Sequence, residues 1–213
     1  MPLIILFGPD GAGKTTIAIE LIKKLKELNY QAIYIKMKSH HLFVYVFLKL
    51  LQKMNKIPNT HSPCLIDYSL RAIFRDNNMY VFLEMFNILI WYFIFVLPHL
   101  KRGKTIVADR FAPDSVVSLN IVSNNVNNVL ERILLRLCKD SIAIYVYAQP
   151  WTLLMRKRDE DLSEVYLRYI TKLYNKVARQ VALIARNLVV IDTTSLPKQH
   201  LVDLIFNSIK KHI

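Results

Sequence analysis

The residues with the clearest chemical meaning stand near the start of the chain. Gly8-Pro9-Asp10-Gly11-Ala12-Gly13-Lys14-Thr15 fits the spacing GxxxxGK[ST]. In such a loop the backbone N–H groups converge on an anion, and the helix that follows adds the positive end of its dipole. Lys14 is then expected to reach the β- and γ-phosphates of a nucleoside triphosphate, and the Thr15 hydroxyl to hold Mg²⁺. Thr16 carries the loop into the helix. The chain has four glycines, and three of them fall between positions 8 and 13. Glycine is needed where the backbone takes positive φ or lies close to a ligand, so this clustering in a glycine-poor chain argues against a chance match.

A second group is Asp109-Arg110-Phe111. It follows the apolar run Lys104 to Asp109, which reads as a strand. Ligands of open parallel sheets gather at the carboxyl ends of the strands, which brings Asp109 beside the loop. An Asp there holds Mg²⁺ or orients the attacking group, and Arg110 can grip an acceptor phosphate with two parallel hydrogen bonds. A third group is Arg156-Lys157-Arg158, in a basic flap around residues 150–163. Arg156 and Arg158 can offset the charge of a transferring phosphoryl group, while Lys157 reads as solvated. Asp10 lies inside the phosphate loop, where a carboxylate close to phosphates is unfavourable, so it is expected to face the acceptor. Ser115, Arg71 and Arg75 are weaker candidates for the acceptor, and a solvated helix face is the ordinary role of both arginines.

These groups need a scaffold. Leu3 to Phe7 reads as a buried strand, and Ile17, Leu21, Leu25 and Leu28 mark a helix from Lys14 to Leu28. Gln31 to Lys36 reads as the second strand, after Asn29. His41 to Met54 and Ile66 to Arg75 read as helices, separated by the loop around Pro58 and Pro63. Met79 to Leu97 is a long apolar helix stopped by Pro98. After the third strand, Pro113 flanks a helix, and the five asparagines between Ser118 and Asn128 mark a mobile turn. Val129 to Leu137 is helical. Ser141 to Ala148 and Leu188 to Asp192 are the fourth and fifth strands, with helices at Leu162 to Ile184 and Pro197 to Lys210. Apolar strands alternating with helices imply a parallel sheet covered on both faces.

Composition bounds the rest. A chain of 213 residues, 53% hydrophobic and 21% charged, suits a single domain over residues 1–213. Cys64 and Cys138 share no metal-ligand spacing and read as reduced thiols of a cytoplasmic protein. The net charge of +13 favours polyanions such as nucleotides, nucleic acid or anionic lipid. It is spread over short clusters, among them Lys101-Arg102-Lys104, so no specific nucleic-acid contact is expected. Met1 to Phe7 lacks the basic start and apolar length of a signal peptide. Met79 to Leu97 approaches the length of a membrane span, but a single span would put Lys14 and Asp109 on opposite sides. It reads as a core helix that could also serve a homodimer, with peripheral membrane contact the weaker alternative.

Taken in order, the phosphate loop with Phe7 and Thr16, the stretch from Lys101 to Phe111, and Arg156-Lys157-Arg158 before a long helix resemble thymidylate kinase and its relatives. The closing strand Val190-Ile191-Asp192-Thr193 is similar too. The resemblance implies a P-loop NTPase α/β/α sandwich with a five-stranded parallel sheet of order 2-3-1-4-5. It implies transfer of the γ-phosphoryl of Mg-ATP to a nucleoside monophosphate, with dTMP the first candidate. It assigns ATP to the loop from Gly8 to Thr16, Mg²⁺ to Thr15 and Asp109, catalysis to Lys14, Asp109, Arg110, Arg156 and Arg158, and the acceptor to Asp10, Arg110, Phe111 and Ser115.

The chain also departs from that family. The Glu that precedes the loop's first glycine in the family is here Phe7. Lys36-Met37-Lys38-Ser39-His40 replaces its Arg-Glu-Pro-Gly-Gly-like turn. No Arg stands near Asn87 or Ile88, and Val117-Ser118-Leu119 takes the place of Ala-Tyr-Gln. The donor half matches and the base-reading half does not. A kinase of a sugar or lipid-linked acceptor, or a nucleotide-binding protein with little kinase activity, are the rival readings.

Overall fold

A computed structural model of the chain describes residues 2–37, 49–56, 69–71, 73, 79–123, 126, 128–157, 162–195 and 198–212. Expectations for Arg75, Arg158, Cys64, the turn after Met37 and most of the two helices placed between residues 41 and 75 lie outside the described residues. Residues 49–53 and 69–71 are helical, as expected of those segments.

Five strands form one parallel sheet: β1 (Leu3–Phe7), β2 (Ala32–Lys36), β3 (Thr105–Asp109), β4 (Ile142–Tyr147) and β5 (Asn187–Asp192). Their order is β2-β3-β1-β4-β5. Every neighbouring pair is parallel, with Leu6 opposite Asp109 and Phe7 opposite Tyr145. Such pairing needs crossover connections, which the helices supply. The alternation of side chains along each strand divides the core in two. Leu3, Ile5, Phe7, Ile106, Ala108 and Tyr145 face one apolar cluster, while Ile4, Leu6, Val107, Ile144 and Val146 face the other. Strands buried on both faces must read as unbroken apolar runs, which is how β1, β3 and β4 read. Each fully buried leucine or isoleucine contributes about 1.5–3 kcal/mol to this arrangement.

Helix α1 (Lys14–Glu27) and α8 (Lys198–Ile209) cover the second cluster through Ile17, Leu21, Leu25, Leu201 and Ile205. The first cluster is covered by α2 (Met79–Trp91), α4 (Ala112–Val122), α5 (Asn128–Leu135) and α7 (Glu164–Ala182). Helix α1 ends where Asn29 takes a left-handed φ of 61°. There the Asn29 and Tyr30 N–H groups donate to Lys26 and Leu25 carbonyls, closing the helix in a Schellman turn. Helix α7 begins at Ser163, whose hydroxyl accepts from the Tyr166 N–H.

Two boundaries differ from the sequence reading. Pro98 does not stop the apolar helix. A π-helical turn (Tyr92–Val96) follows α2, the Leu97 N–H bonds to the Tyr92 carbonyl five residues back, and α3 (Leu97–Lys101) carries Pro98. The wider turn absorbs a residue that lacks an N–H. The helix stops instead at Gly103, with φ of 70° and the Schellman bonds Gly103 N–H to Leu100 and Lys104 N–H to His99. The helix flanked by Pro113 also reaches into the asparagine-rich stretch, because α4 runs to Val122 with Ser118, Leu119 and Val122 buried, while Asn124, Asn125 and Asn127 lie outside the described residues. Burial of that apolar face outweighs the local turn preference of Asn120. The flap begins with a short helix, α6 (Pro150–Arg156), which packs against α7.

Candidate active site

The phosphate loop is fixed by how closely it passes the sheet. A Cβ on Gly8 would lie 1.9 Å from the Val146 carbonyl oxygen of β4. No other residue fits there, and the backbone enters the loop directly from the sheet. At its far end Gly13 caps α1 with a left-handed φ of 94°. The first turn of α1 carries no acidic side chain, so its N–H groups, which have no partner within the helix, present an uncompensated positive end.

Lys14 lies at the start of α1 and is buried. Its ammonium donates to the carbonyl oxygens of Gly8 at 2.6 Å and Pro9 at 2.8 Å. Burial lowers its pKa, the nearby Arg110 adds to this, and Asp10 opposes it. Asp10 accepts hydrogen bonds from both Arg110 and Lys14. Burial alone would raise its pKa, but Arg110, Lys14 and Lys157 outweigh that and hold it at about 2. The carboxylate is therefore directed at the end of β3.

Asp109 ends β3 and is buried. Its Oδ2 accepts from the Thr15 hydroxyl at 2.5 Å and from the Tyr34 hydroxyl at 2.9 Å. Its Oδ1 is buried and has no hydrogen-bond partner among the described residues. Arg110 follows with φ of 72°. A left-handed conformation is unfavourable for a residue with a Cβ, and here it brings the guanidinium back onto Asp10. Tyr34 carries no motif. It joins the site because Tyr34 on β2 is level with Val107 on β3, two residues short of Asp109, a distance the phenol spans. Burial and the Asp109 carboxylate both raise its pKa, so it remains a donor.

The donor set at Asp109 fits a magnesium ion. Mg²⁺ takes oxygen ligands and is held by one or two carboxylates together with phosphate oxygens and water. The unpartnered Oδ1 and the Thr15 hydroxyl beside it are ligands of that kind. No group of three or more His, Cys, Asp or Glu among the described residues gathers to hold a metal without such help.

The remaining expected residues take more varied positions. Arg156 donates to the Gly11 carbonyl at 3.2 Å, to the Thr193 hydroxyl at 3.0 Å and to the Thr193 carbonyl at 2.5 Å. It ties α6 to the phosphate loop and to the end of β5, where the Thr193 hydroxyl in turn donates to Ala12 at 2.9 Å. Lys157 is not solvated as its sequence context suggested. Its stem packs over Gly11, and its ammonium lies 4.0 Å from Asp10 Oδ2. Glycine at position 11 leaves the space that this lysine fills. Phe111 is buried, with its ring 6.3 Å from that of Tyr92, and its N–H donates to Asp114. The Ser115 hydroxyl donates to Glu84 at 2.6 Å. Arg71 is exposed on its helical turn.

A buried polar cluster beside the site carries no sequence motif. Asp114 accepts from the Tyr174 hydroxyl at 2.9 Å, and Tyr80 shares a hydrogen bond with Ser118. Glu84 is fully buried, and burial raises its pKa to about 7 against the opposing effect of Ser115. Glu84 Oε2 and both amide atoms of Asn87 are buried without a hydrogen-bond partner among the described residues.

A family model described as chromatin associated protein KTI12 matches residues 1–54, the stretch that contains β1, the phosphate loop, α1 and β2. No curated protein matches the chain. Among solved structures, the YorR protein from Bacillus subtilis, crystallised in complex with phosphorylated GDP, is similar over 99% of this chain and 98% of its own, at 20% identity and a TM-score of 0.54. At that identity the likeness is one of fold. Together with the strand order, it makes this chain an α/β protein of the P-loop NTPase, kinase-like fold.

Proposed function

We propose that this protein is an ATP-dependent phosphotransferase that moves the γ-phosphoryl group of Mg-ATP to a second substrate, in the manner of thymidylate kinase. One observation carries the reading: Thr15 of the phosphate loop and Asp109 of β3 meet at 2.5 Å, and the second Asp109 oxygen is buried and unpartnered. That pair is the one needed to hold a metal against triphosphate oxygens.

In this reading the loop N–H groups from Gly11 to Thr16 and the end of α1 bind the triphosphate. Lys14 leaves the Gly8 and Pro9 carbonyls and turns its ammonium to the phosphates. Thr15 and Asp109 would hold a magnesium ion, which would supply neutralising charge to the phosphate oxygens. Asp10 and Arg110 set the acceptor side, with Phe111 and Ser115 shaping the turn behind them. Arg156 keeps α6 on the loop, and with Arg158 supplies positive charge to the flap. Transfer is then a matter of positioning and charge neutralisation.

The acceptor is a nucleoside monophosphate in this reading, and dTMP is the first to test. A sugar or lipid-linked acceptor is the second reading. It draws support from Asn87, which stands near the place where the resemblance calls for an arginine and is buried beside Glu84. ADP release is to be followed with dTMP, then other nucleoside monophosphates, then phosphorylated sugars and lipid-linked phosphates. Acceptor-dependent ADP with dTMP supports the first reading, and response only to a non-nucleotide supports the second. ADP release that no acceptor stimulates would leave a nucleotide-binding protein in place of a kinase.

A further inference from the structure

Helices α2 and α4 lie against one another in opposite directions. Tyr80 shares a hydrogen bond with Ser118, Glu84 accepts from Ser115, and the ring of Tyr92, just past α2, lies 6.3 Å from the ring of Phe111. Moving up α2 from Tyr80 to Glu84 and on to Tyr92 therefore moves down α4 from Ser118 to Ser115 and Phe111. Asn87 stands one turn beyond Glu84 on the same face of α2. The register carries it to the level of the start of α4, directly after Arg110.

Glu84 Oε2 and the oxygen and nitrogen of the Asn87 amide are buried there without a hydrogen-bond partner among the described residues. Glu84 is fully enclosed and Asn87 is 1% exposed. Folded chains rarely leave such atoms unpaired, because nothing replaces the water they lose. What could pair with them follows from the atoms themselves. The amide sets a donor and an acceptor side by side. Ser115 already occupies Glu84 Oε1, and burial raises the Glu84 pKa to about 7, so below that pH Oε2 adds a second donor. Neither α2 nor α4 contains a lysine or an arginine, so an anionic group would meet a carboxyl and no cation from these helices. An apolar group would leave every one of these atoms unpaired. An uncharged group that both donates and accepts matches them, such as the edge of a nucleobase or the hydroxyls of a sugar.

We propose that Glu84 and Asn87 form a binding subsite for the uncharged, hydrogen-bonding end of the acceptor, with the Asn87 amide meeting a donor and an acceptor together. Arg110, next to this level, is left to the phosphate end. The proposal rests on the phosphotransfer reading only in calling the ligand the acceptor. Both side chains are enclosed in the free chain, so a ligand reaches them once the side chains covering them move aside.

The test pairs stability with binding, on the full chain. Asn87→Leu replaces the amide with an apolar group of similar size, and Asn87→Ala removes it without adding bulk. An unpartnered amide has no hydrogen bond to lose, so the urea midpoint of at least one variant should equal or exceed the wild type's. Binding is read by titration calorimetry with thymidine, cytidine, adenosine, ribose and glucose as probes. The wild type is expected to bind at least one of them, and both variants to bind it on the order of tenfold more weakly or worse. A nucleoside that binds where ribose and glucose do not marks a base edge, and binding of ribose or glucose marks hydroxyls. A lower midpoint in both variants would overturn the proposal, because the amide would then be held within the chain or by a buried water. Equal binding by the variants would overturn it, and so would a wild type that binds no probe. Binding that depends on Asn87 without acceptor-stimulated ADP release would remove the phosphotransfer reading and keep the subsite. Acceptor-stimulated ADP release with the same acceptor KM in Asn87→Leu would do the reverse.

Discussion

Asp10 and Arg110, one hundred residues apart in sequence, form an ion pair that ties the phosphate loop to the end of β3. Both sit where neither is comfortable alone: Asp10 inside a loop built for anions, and Arg110 in a left-handed backbone conformation. Each accounts for the position of the other. The pair turns a carboxylate that would repel phosphate into a support for the arginine that faces the second substrate.

That pair gives the first prediction. In a double-mutant cycle with Asp10→Asn and Arg110→Gln, stability measured by urea unfolding should show a coupling of about 1 kcal/mol, modest because Asp10 is partly open to solvent. The Asp10 pKa is lowered from 3.8 to about 2, so the stabilisation is present above pH 3.8 and is lost as pH falls towards 2. Additive single variants would show that the pair is formed without energetic consequence.

Lys14→Ala should lower ATP-dependent turnover by about 10²–10³-fold or more, with the far-ultraviolet circular dichroism unchanged. The ammonium of this lysine bonds to loop carbonyls and Asp10 and to no strand of the sheet among the described residues. Unchanged turnover would remove the phosphotransfer reading altogether.

Asp109→Asn should abolish the dependence of ATP affinity on magnesium. Titration calorimetry of ATP with magnesium and with a chelator gives the comparison. Tyr34→Phe should have a smaller effect, because it removes one of the two hydrogen bonds on Oδ2 and leaves Oδ1 untouched. A metal dependence that survives in Asp109→Asn would place the ion elsewhere.

Glu84 is expected to make stability fall as pH rises. Burial raises its pKa from 4.5 to about 7, so the folded state holds a proton that the unfolded chain releases. The favourable contribution is complete below pH 4.5 and is lost between pH 4.5 and 7, on the order of 3 kcal/mol in all. Glu84→Gln keeps the shape and cannot ionise, so its urea midpoint should vary less across that window than the wild type's. Parallel curves for the two proteins would show that Glu84 does not titrate there.

The sequence by itself determined the parts that depend on local order. The phosphate loop is contiguous, and its glycines are needed by the backbone of that one turn, so spacing alone identifies it. Apolar runs of five or six residues between helical periods define the strands, and these are the strands of the observed sheet. The motif Asp-Arg-Phe became legible because the strand before it carries Asp109 to the same edge as the loop.

Tertiary structure decided what depends on residues far apart in the chain. Tyr34 belongs to the Asp109 site only because β2 lies beside β3, a neighbourhood no local pattern encodes. Lys157 looked like one solvated charge in a basic run, and packing over Gly11 made it part of the loop. Pro98 looked like a stop, and a π turn ahead of it let the helix pass. The same helix read as core. Periodicity says that a face is apolar but not what it meets, and only the placement of α4, whose Ser118 and Ser115 bond to Tyr80 and Glu84, shows which side turns inward.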